Sequence, residues 1–305
     1  MVKVLICDAI ANEAIEKMQN AGLDVTVKIG MDKSELLKVI PDYDVAVVRS
    51  ATKITREVIE AGKNLKLVYR GGVGLDNIDR VAAKEHGIEV MNTPGASSIS
   101  VAELAIGYMF ALSRKIPQAT ASTKSGKWDK KSFKGNEIFG KTLALLGLGR
   151  IGTETAKRAK ALGMKVIAYD PYVKQSPLPE LNLVSLDNAL KQADYISLHM
   201  PLTDETHHII NKEKFKLMKT GVRIVQCARG GILDEKALYD AIKDGKVAGA
   251  AIDVYESEPA KENALFELDE IICSPHIGAN TAEGQLRVGI ELAEGIIERF
   301  AQYQS

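Results

Sequence analysis

Along most of this chain, short runs of Val, Ile and Leu alternate with amphipathic stretches of helical length, and no other feature limits the fold as much. A run that is apolar at nearly every position, rather than every second one, belongs to a strand buried on both faces. Such strands come from parallel sheets with helices packed above and below. The runs are Val2–Asp8, Asp24–Lys28, Val45–Arg49, Leu65–Arg70 and Glu89–Thr93, then Lys141–Gly147, Lys165–Asp170, Tyr195–Met200, Val222–Arg229, Val247–Tyr255 and Glu270–Pro275. Between and after them, Asn12–Ala21, Ile78–His86, Ile151–Leu162, Glu235–Lys243 and Ala282–Phe300 read as helices. An α/β protein is predicted.

Eleven strands are more than one open twisted sheet usually carries, and 305 residues with 46% hydrophobic content can fill two cores. The sharpest break is Asn92-Thr93-Pro94-Gly95-Ala96-Ser97-Ser98, a turn-rich stretch leading into a long helix, roughly Ile99–Ile116. The six later strands then form their own sheet, and the final helix, with no strand after it, returns to the first domain. The predicted division is a discontinuous domain, 1–96 plus 284–305, and a second domain, 97–283. Two sheets joined by a helical hinge imply a cleft, which is where function is to be sought.

Composition excludes several alternatives. Lys+Arg and Asp+Glu are both 40, so no global basic field exists to hold nucleic acid or an anionic membrane. The N-terminus runs straight into a strand pattern, without the features of a signal peptide, and no eighteen consecutive residues are apolar. Cys7, Cys227 and Cys273 are odd in number and lack C-x-x-C spacing, which fits thiols in a reducing cytoplasm better than disulfides or a metal site.

Gly147-Leu148-Gly149-Arg150-Ile151-Gly152 is a G-x-G-x-x-G directly after a buried strand and at the start of a helix. Gly147 permits the tight turn, Gly149 the approach of backbone to a pyrophosphate, and Gly152 the close packing of helix on strand. The phosphates then meet free N–H groups and the positive end of the helix dipole. The next strand ends in Asp170, eighteen residues past Gly152. An acid there accepts hydrogen bonds from the adenine-ribose hydroxyls and repels a 2′-phosphate, which points to NAD rather than NADP. Residues 97–283 are therefore predicted to be a Rossmann NAD-binding domain, inserted in a flavodoxin-like substrate domain.

Three later strands end in polar motifs: Cys227-Ala228-Arg229-Gly230-Gly231, Asp253-Val254-Tyr255-Glu256-Ser257-Glu258-Pro259 and Ser274-Pro275-His276-Ile277-Gly278-Ala279. The carboxyl ends of strands are where open α/β sheets bind ligands. Arg229 can fork onto a carboxylate and polarise a C2 oxygen. His276 can take a hydroxyl proton while hydride leaves C2. Glu258 can hold the imidazole and favour its charged form. These three suit a 2-hydroxy acid. His86, His199, His207 and His208 lack such context and read as solvated or structural.

With the glycine loop, these stretches closely resemble the D-2-hydroxyacid dehydrogenase family over essentially the whole chain. The resemblance implies an NAD-dependent dehydrogenase of small 2-hydroxy or 2-keto acids. The family's catalytic arginine, glutamate and acid-base histidine map onto Arg229, Glu258 and His276. Asp253 maps onto the acid that holds the nicotinamide carboxamide, and Cys227, Ala228, Gly278 and Ala279 map onto positions lining the nicotinamide pocket. Family members are usually dimers built through the nucleotide domains. Lys124–Lys134, with Trp128, Lys130 and Lys131, resembles the segment that reaches the neighbouring active site.

Within the family, the resemblance is nearest to the phosphoglycerate dehydrogenases, which oxidise 3-phosphoglycerate to 3-phosphohydroxypyruvate in serine synthesis. Two stretches carry it: Val48-Arg49-Ser50-Ala51-Thr52-Lys53 and Tyr69-Arg70-Gly71-Gly72-Val73-Gly74-Leu75-Asp76-Asn77-Ile78-Asp79. Both follow first-domain strands. Gly71, Gly72 and Gly74 would let backbone N–H groups approach a carboxylate. Arg49, Lys53 and Arg70 supply more positive charge than one carboxylate needs, which a phosphate would explain. Arg49, Ser50, Lys53, Arg70, Gly71, Gly72, Val73 and Lys130 are the candidate substrate residues. Val73 departs from the Thr or Ser of many relatives. Because the sequence ends at Ser305, a short form without the C-terminal regulatory domain that many of them carry is expected. The alternatives are a hydroxypyruvate or glyoxylate reductase with the same chemistry, and a non-catalytic NAD-sensing protein, against which the intact Arg229, Glu258 and His276 speak.

Overall fold

A computed structural model describes residues 1–301. In chain order the first elements are β1 (Lys3–Ile6), α1 (Asn12–Asn20), β2 (Asp24–Val27), α2 (Lys33–Val39), β3 (Val45–Val48), α3 (Arg56–Ala61), β4 (Leu67–Arg70), α4 (Arg80–Glu85) and β5 (Glu89–Asn92). Then come α5 (Ser98–Arg114), α6 (Ile116–Lys124), β6 (Thr142–Leu146), α7 (Arg150–Ala161), β7 (Lys165–Tyr169), β8 (Asn182–Leu183), α8 (Leu186–Gln192) and β9 (Tyr195–Leu198). The last are α9 (Lys212–Leu217), β10 (Val222–Gln226), α10 (Glu235–Lys243), β11 (Val247–Ile252), β12 (Ile271–Cys273) and α11 (Ala282–Phe300).

The chain divides into two compact units, Met1–Ser97 with Ala279–Ser305, and Ser98–Gly278. The return crossing lies a few residues before the expected 283/284, because the residues that lead into and cap α11 go with that helix; the Thr281 side chain accepts from the Gly284 amide. Residues 302–305 of the expected first domain lie outside the described residues.

The first unit holds a five-stranded sheet in the order β2-β1-β3-β4-β5, every pair parallel. This is the flavodoxin-like order. In β1, Val4 and Ile6 join one core while Leu5 and the following Cys7 join the other, so consecutive apolar residues are needed to cover both faces. The core on the Val4 side is closed by Ala14 and Met18 of α1 and by Leu292, Ala293, Ile296 and Phe300 of α11. This packing is what brings the C-terminal helix back to the first unit.

The second unit holds a seven-stranded parallel sheet, ordered β12-β11-β10-β9-β6-β7-β8. The order reverses between β6 and β9, where a doubly wound nucleotide-binding sheet has its crevice. Leu143 and Leu145 of β6 pack under α5 and α7, while Ala144 and Leu146 pack on the opposite core. Each fully buried leucine contributes about 1.5–3 kcal/mol.

Two sequence expectations need correction. The sheet has seven strands rather than six, because the edge strand β8 is only Asn182–Leu183 and too short to register as an apolar run. The long helix ends at Arg114 rather than Ile116: Lys115 turns left-handed at φ 52°, and α6 begins with Pro117 in its first turn. Proline lacks the N–H and the room a helix interior demands but fits a first turn. Among the described residues, no helix is long and apolar enough to cross a membrane.

Candidate active site

The glycine loop leaves β6 in the middle of the second sheet. Gly147 has φ 101°, and its N–H donates to Tyr169 O at 2.8 Å, tying the turn to β7. A Cβ on Gly147 would collide with the backbone of His199, and one on Gly152 would collide with the Gly147 carbonyl. The segment therefore has to be glycine at both positions, and α7 starts directly behind it with Gly149 as its N-cap. Arg150 is exposed and Ile151 half-buried in that first turn. Asp170 closes the loop from β7: its Oδ2 accepts the Leu148 amide at 2.8 Å, and its Oδ1 accepts Tyr172 and Val173 amides at 2.9 and 3.2 Å. A carboxylate has about four acceptor positions, so one remains for a ligand hydroxyl.

His199 lies beneath the same loop. Its Nε2 meets Ser197 Oγ at 2.9 Å, and its buried Nδ1 has no partner among the described residues. Burial pulls the imidazole down to about 4. The close-packed glycine turn, the free helix N-terminus behind it and the Asp170 carboxylate together fit a dinucleotide.

Three further loops meet past the ends of β10, β11 and β12. Arg229 follows β10, with its carbonyl accepting from Gln226 Nε2 at 2.9 Å and its guanidinium donating to Ala228 O at 2.7 Å. A Cβ on Gly230 would collide with the Tyr255 carbonyl, so the Arg229 loop lies directly on the β11 loop. On that second loop, Glu258 Oε1 accepts the Tyr255 amide at 3.1 Å, while Oε2 meets His276 Nδ1 at 2.7 Å. Burial pushes the Glu258 carboxyl up. The hydrogen bond and charge of His276, the Tyr255 amide and the Arg229 charge outweigh burial and hold it below its ordinary value. His276 itself stands at φ 54°, a left-handed conformation uncommon for a residue with a side chain.

With Nδ1–H given to Glu258, the neutral imidazole keeps the Nε2 lone pair to accept a proton. Asp253 is almost fully buried and accepts the Ile277 and Gly278 amides at 2.8 Å each, together with the Ser274 hydroxyl. Cys227, Ala228 and Gly278 are buried beside these loops. Ala279, the first residue of the return to the other unit, is half-buried.

The candidate substrate residues of the first unit form a group of their own. The Asp8 carboxylate accepts the Arg49 amide at 2.5 Å, the Thr52 amide at 3.2 Å and the Thr52 hydroxyl at 2.8 Å. Asn77 Nδ2 donates to the carbonyls of Arg49 and Thr52 at 2.7 and 2.6 Å. These bonds fix the loop 49–52. A Cβ on Gly71 would lie 3.4 Å from the Arg49 side chain, and one on Gly72 would collide with the Arg70 guanidinium. Arg49, Arg70, Gly71 and Gly72 are thus neighbours. Burial pulls the Arg49 guanidinium below its usual value, with the Asp8 charge opposing. Ser50 and Lys53 are exposed, and Val73 is half-buried with its carbonyl accepting from Asn92 Nδ2 at 2.5 Å. Lys130 stands exposed after α6, on the same stretch as Trp128, which is 90% exposed.

Sequence reasoning missed Gln226, Tyr255, Asp8 and Asn77, whose side chains shape these loops. The D-V-Y-E-S-E-P stretch carried Tyr255 in plain view, but a buried Asp8 at a strand end gave no distinguishing signal.

Residues 106–278 match the family model of the D-isomer specific 2-hydroxyacid dehydrogenase, NAD binding domain. The chain belongs to that family. It is 54% identical over 300 residues to the hydroxypyruvate reductase of Thermotoga maritima, covering 97% of both chains. It is 53% identical over 299 residues to the D-3-phosphoglycerate dehydrogenase of Methanocaldococcus jannaschii, covering 97% of this chain but 57% of that protein. Thus it spans little more than half the length of that relative. Among solved structures, the D-lactate dehydrogenase of Aquifex aeolicus complexed with NAD and lactic acid superposes with a TM-score of 0.85, at 32% identity, over 98% of this chain and 95% of that one. The second unit is an NAD-binding domain of this family.

Proposed function

We propose that this chain interconverts a D-2-hydroxy acid and its 2-keto acid with NAD, and that the substrate is 3-phosphoglycerate. The observation that carries the reaction is the 2.7 Å pair of His276 Nδ1 and Glu258 Oε2, beside an arginine loop. Bound NAD supplies the acceptor for the hydride leaving C2. His276 takes the C2 hydroxyl proton on Nε2 in oxidation and returns it in reduction. Glu258 keeps the ring in that tautomer and stabilises the imidazolium. Arg229 pairs with the substrate carboxylate and polarises the C2 oxygen. Asp253 accepts from the nicotinamide carboxamide, and Asp170 accepts from the adenine ribose, disfavouring NADP. The active form is a homodimer through the NAD-binding domain, a reading that the exposed Trp128 segment supports.

The phosphorylated substrate draws support from the neighbouring Arg49 and Arg70 and from the name of the M. jannaschii relative. Hydroxypyruvate reductase is the second reading, favoured by the T. maritima relative that matches along 97% of its length. A substitution separates them. A hydrogen bond to a charged group contributes about 1.5–3 kcal/mol, or one to two decades in kcat/KM. If Arg49 holds the phosphate, Arg49→Ala imposes that loss on phosphohydroxypyruvate and almost none on hydroxypyruvate. Arg229→Ala damages both, since the carboxylate and carbonyl are common to them. Equal loss on both substrates from Arg49→Ala would remove the phosphate role and favour the second reading.

A further inference from the structure

Asp253 accepts more hydrogen bonds than its own loop supplies. Its Oδ1 receives the Ile277 amide at 2.8 Å and the Ser274 hydroxyl, and its Oδ2 receives the Gly278 amide at 2.8 Å. An ionised carboxylate offers about four acceptor positions, two on each oxygen. Oδ1 is therefore filled, and Oδ2 keeps one position for a ligand N–H.

The Ser274 hydroxyl has a single proton, and it goes to Asp253. The hydrogen bond between Ser274 Oγ and Tyr108 OH must then run the other way, with the phenol donating. Tyr108 is a buried residue of α5, contributed from far along the chain, and burial pushes its phenol up so that it keeps its proton. Tyr255 OH lies outside this chain, its one proton shared between the carbonyls of Ser274 at 3.0 Å and Ile252 at 3.1 Å. Each donor in such a chain polarises the next, and a chain that runs one way leaves the carboxylate a single favoured orientation.

We propose that Tyr108 and Ser274 are positioning residues for the cofactor: the one-way chain from Tyr108 through Ser274 to Asp253 saturates Oδ1 and reserves Oδ2 for the carboxamide N–H of the nicotinamide. The same carboxylate ties down the two amides that follow His276, so cofactor recognition and the placement of the acid-base residue share one anchor. This rests on the reading of Asp253 as the carboxamide acceptor.

The test is equilibrium binding, by titration calorimetry, of NADH and of its 3-acetylpyridine analogue, in which a methyl ketone replaces the carboxamide and no N–H is available. Wild type binds NADH about ten- to a hundredfold more tightly than the analogue, the value of a hydrogen bond to a charged group. Ser274→Ala reduces that preference several-fold, by weakening NADH and leaving the analogue nearly unchanged. Tyr108→Phe does so more weakly, and Ser274→Thr restores it. Thermal midpoints are recorded alongside, and Tyr108→Phe removes one oxygen without changing the shape of the ring. A wild-type preference in Ser274→Ala overturns the proposal, as does an equal loss of both ligands, which would mark Ser274 as merely structural. Asp253→Asn separates the two levels. If it keeps the preference, the carboxamide reading itself is wrong. If it loses the preference while Ser274→Ala does not, only the relay is wrong.

Discussion

Glu258 shows how a single residue is set by opposing effects. Partial burial disfavours its charge, yet His276, the Tyr255 amide and Arg229 together keep it ionised below the ordinary carboxylate range. The ionised carboxylate holds His276 Nδ1 at 2.7 Å, which leaves Nε2 facing the proton to be moved. Oxidation needs the neutral ring as proton acceptor and reduction the charged ring as donor. Glu258→Gln is expected to reduce kcat in both directions through poorer orientation of the ring, as read from steady-state kcat for oxidation and for reduction. His276→Ala is expected to cut kcat by about 10²–10⁴, the usual share of acid-base catalysis; near-normal turnover would refute the assignment. The pairing of these two residues was legible in the sequence because each lies just past a strand end with polar company. Tyr108 was not, since a phenol on an apolar helix reads as core until its partner across the fold is seen. The left-handed backbone at His276 has no sequence signal either, because such φ values usually announce themselves through glycine or asparagine.

At the level of elements, legibility followed length and capping. The bounds of α10 are those expected, Glu235–Lys243: Asp234 precedes it and accepts the Ala237 amide at 2.9 Å, and Ala237, Leu238, Ala241 and Ile242 repeat on one buried face. Asp234→Ala should therefore cost about 1 kcal/mol of stability, seen as a lower denaturant midpoint at unchanged slope. An unaltered midpoint would mean that the cap is dispensable. By contrast β8, with two residues, and the break at Lys115 between α5 and α6 were not read correctly. A two-residue strand carries no periodicity, and an apolar Ile116 just past Arg114 reads as the end of the first helix unless Pro117 is taken as a new first turn. The order of strands in both sheets could be anticipated only as a class, because parallel pairing is decided by long-range packing rather than by the strands' own composition.

For the molecule as a whole, the clearest consequence of burial is at acid pH. His199 is held neutral inside the second unit, its pKa pulled by burial from about 6.5 in the unfolded chain to about 4. Between those values the unfolded chain binds a proton that the folded one refuses, so folding stability falls as pH drops through that window and stops falling from this cause below it. A His199→Gln variant that folds is expected to lose less stability across that window than wild type, as measured by thermal unfolding at a series of pH values. An identical pH dependence would assign the acid loss to other groups. What the folded chain does is measured by comparing kcat/KM with NADH for phosphohydroxypyruvate, hydroxypyruvate, glyoxylate and pyruvate. Turnover of 2-keto acids is expected, with a preference for phosphohydroxypyruvate of about one decade or more. Hydroxypyruvate as the equal or better substrate would contradict the phosphate assignment, and no turnover of any of the four would contradict the roles given to Arg229, Glu258 and His276.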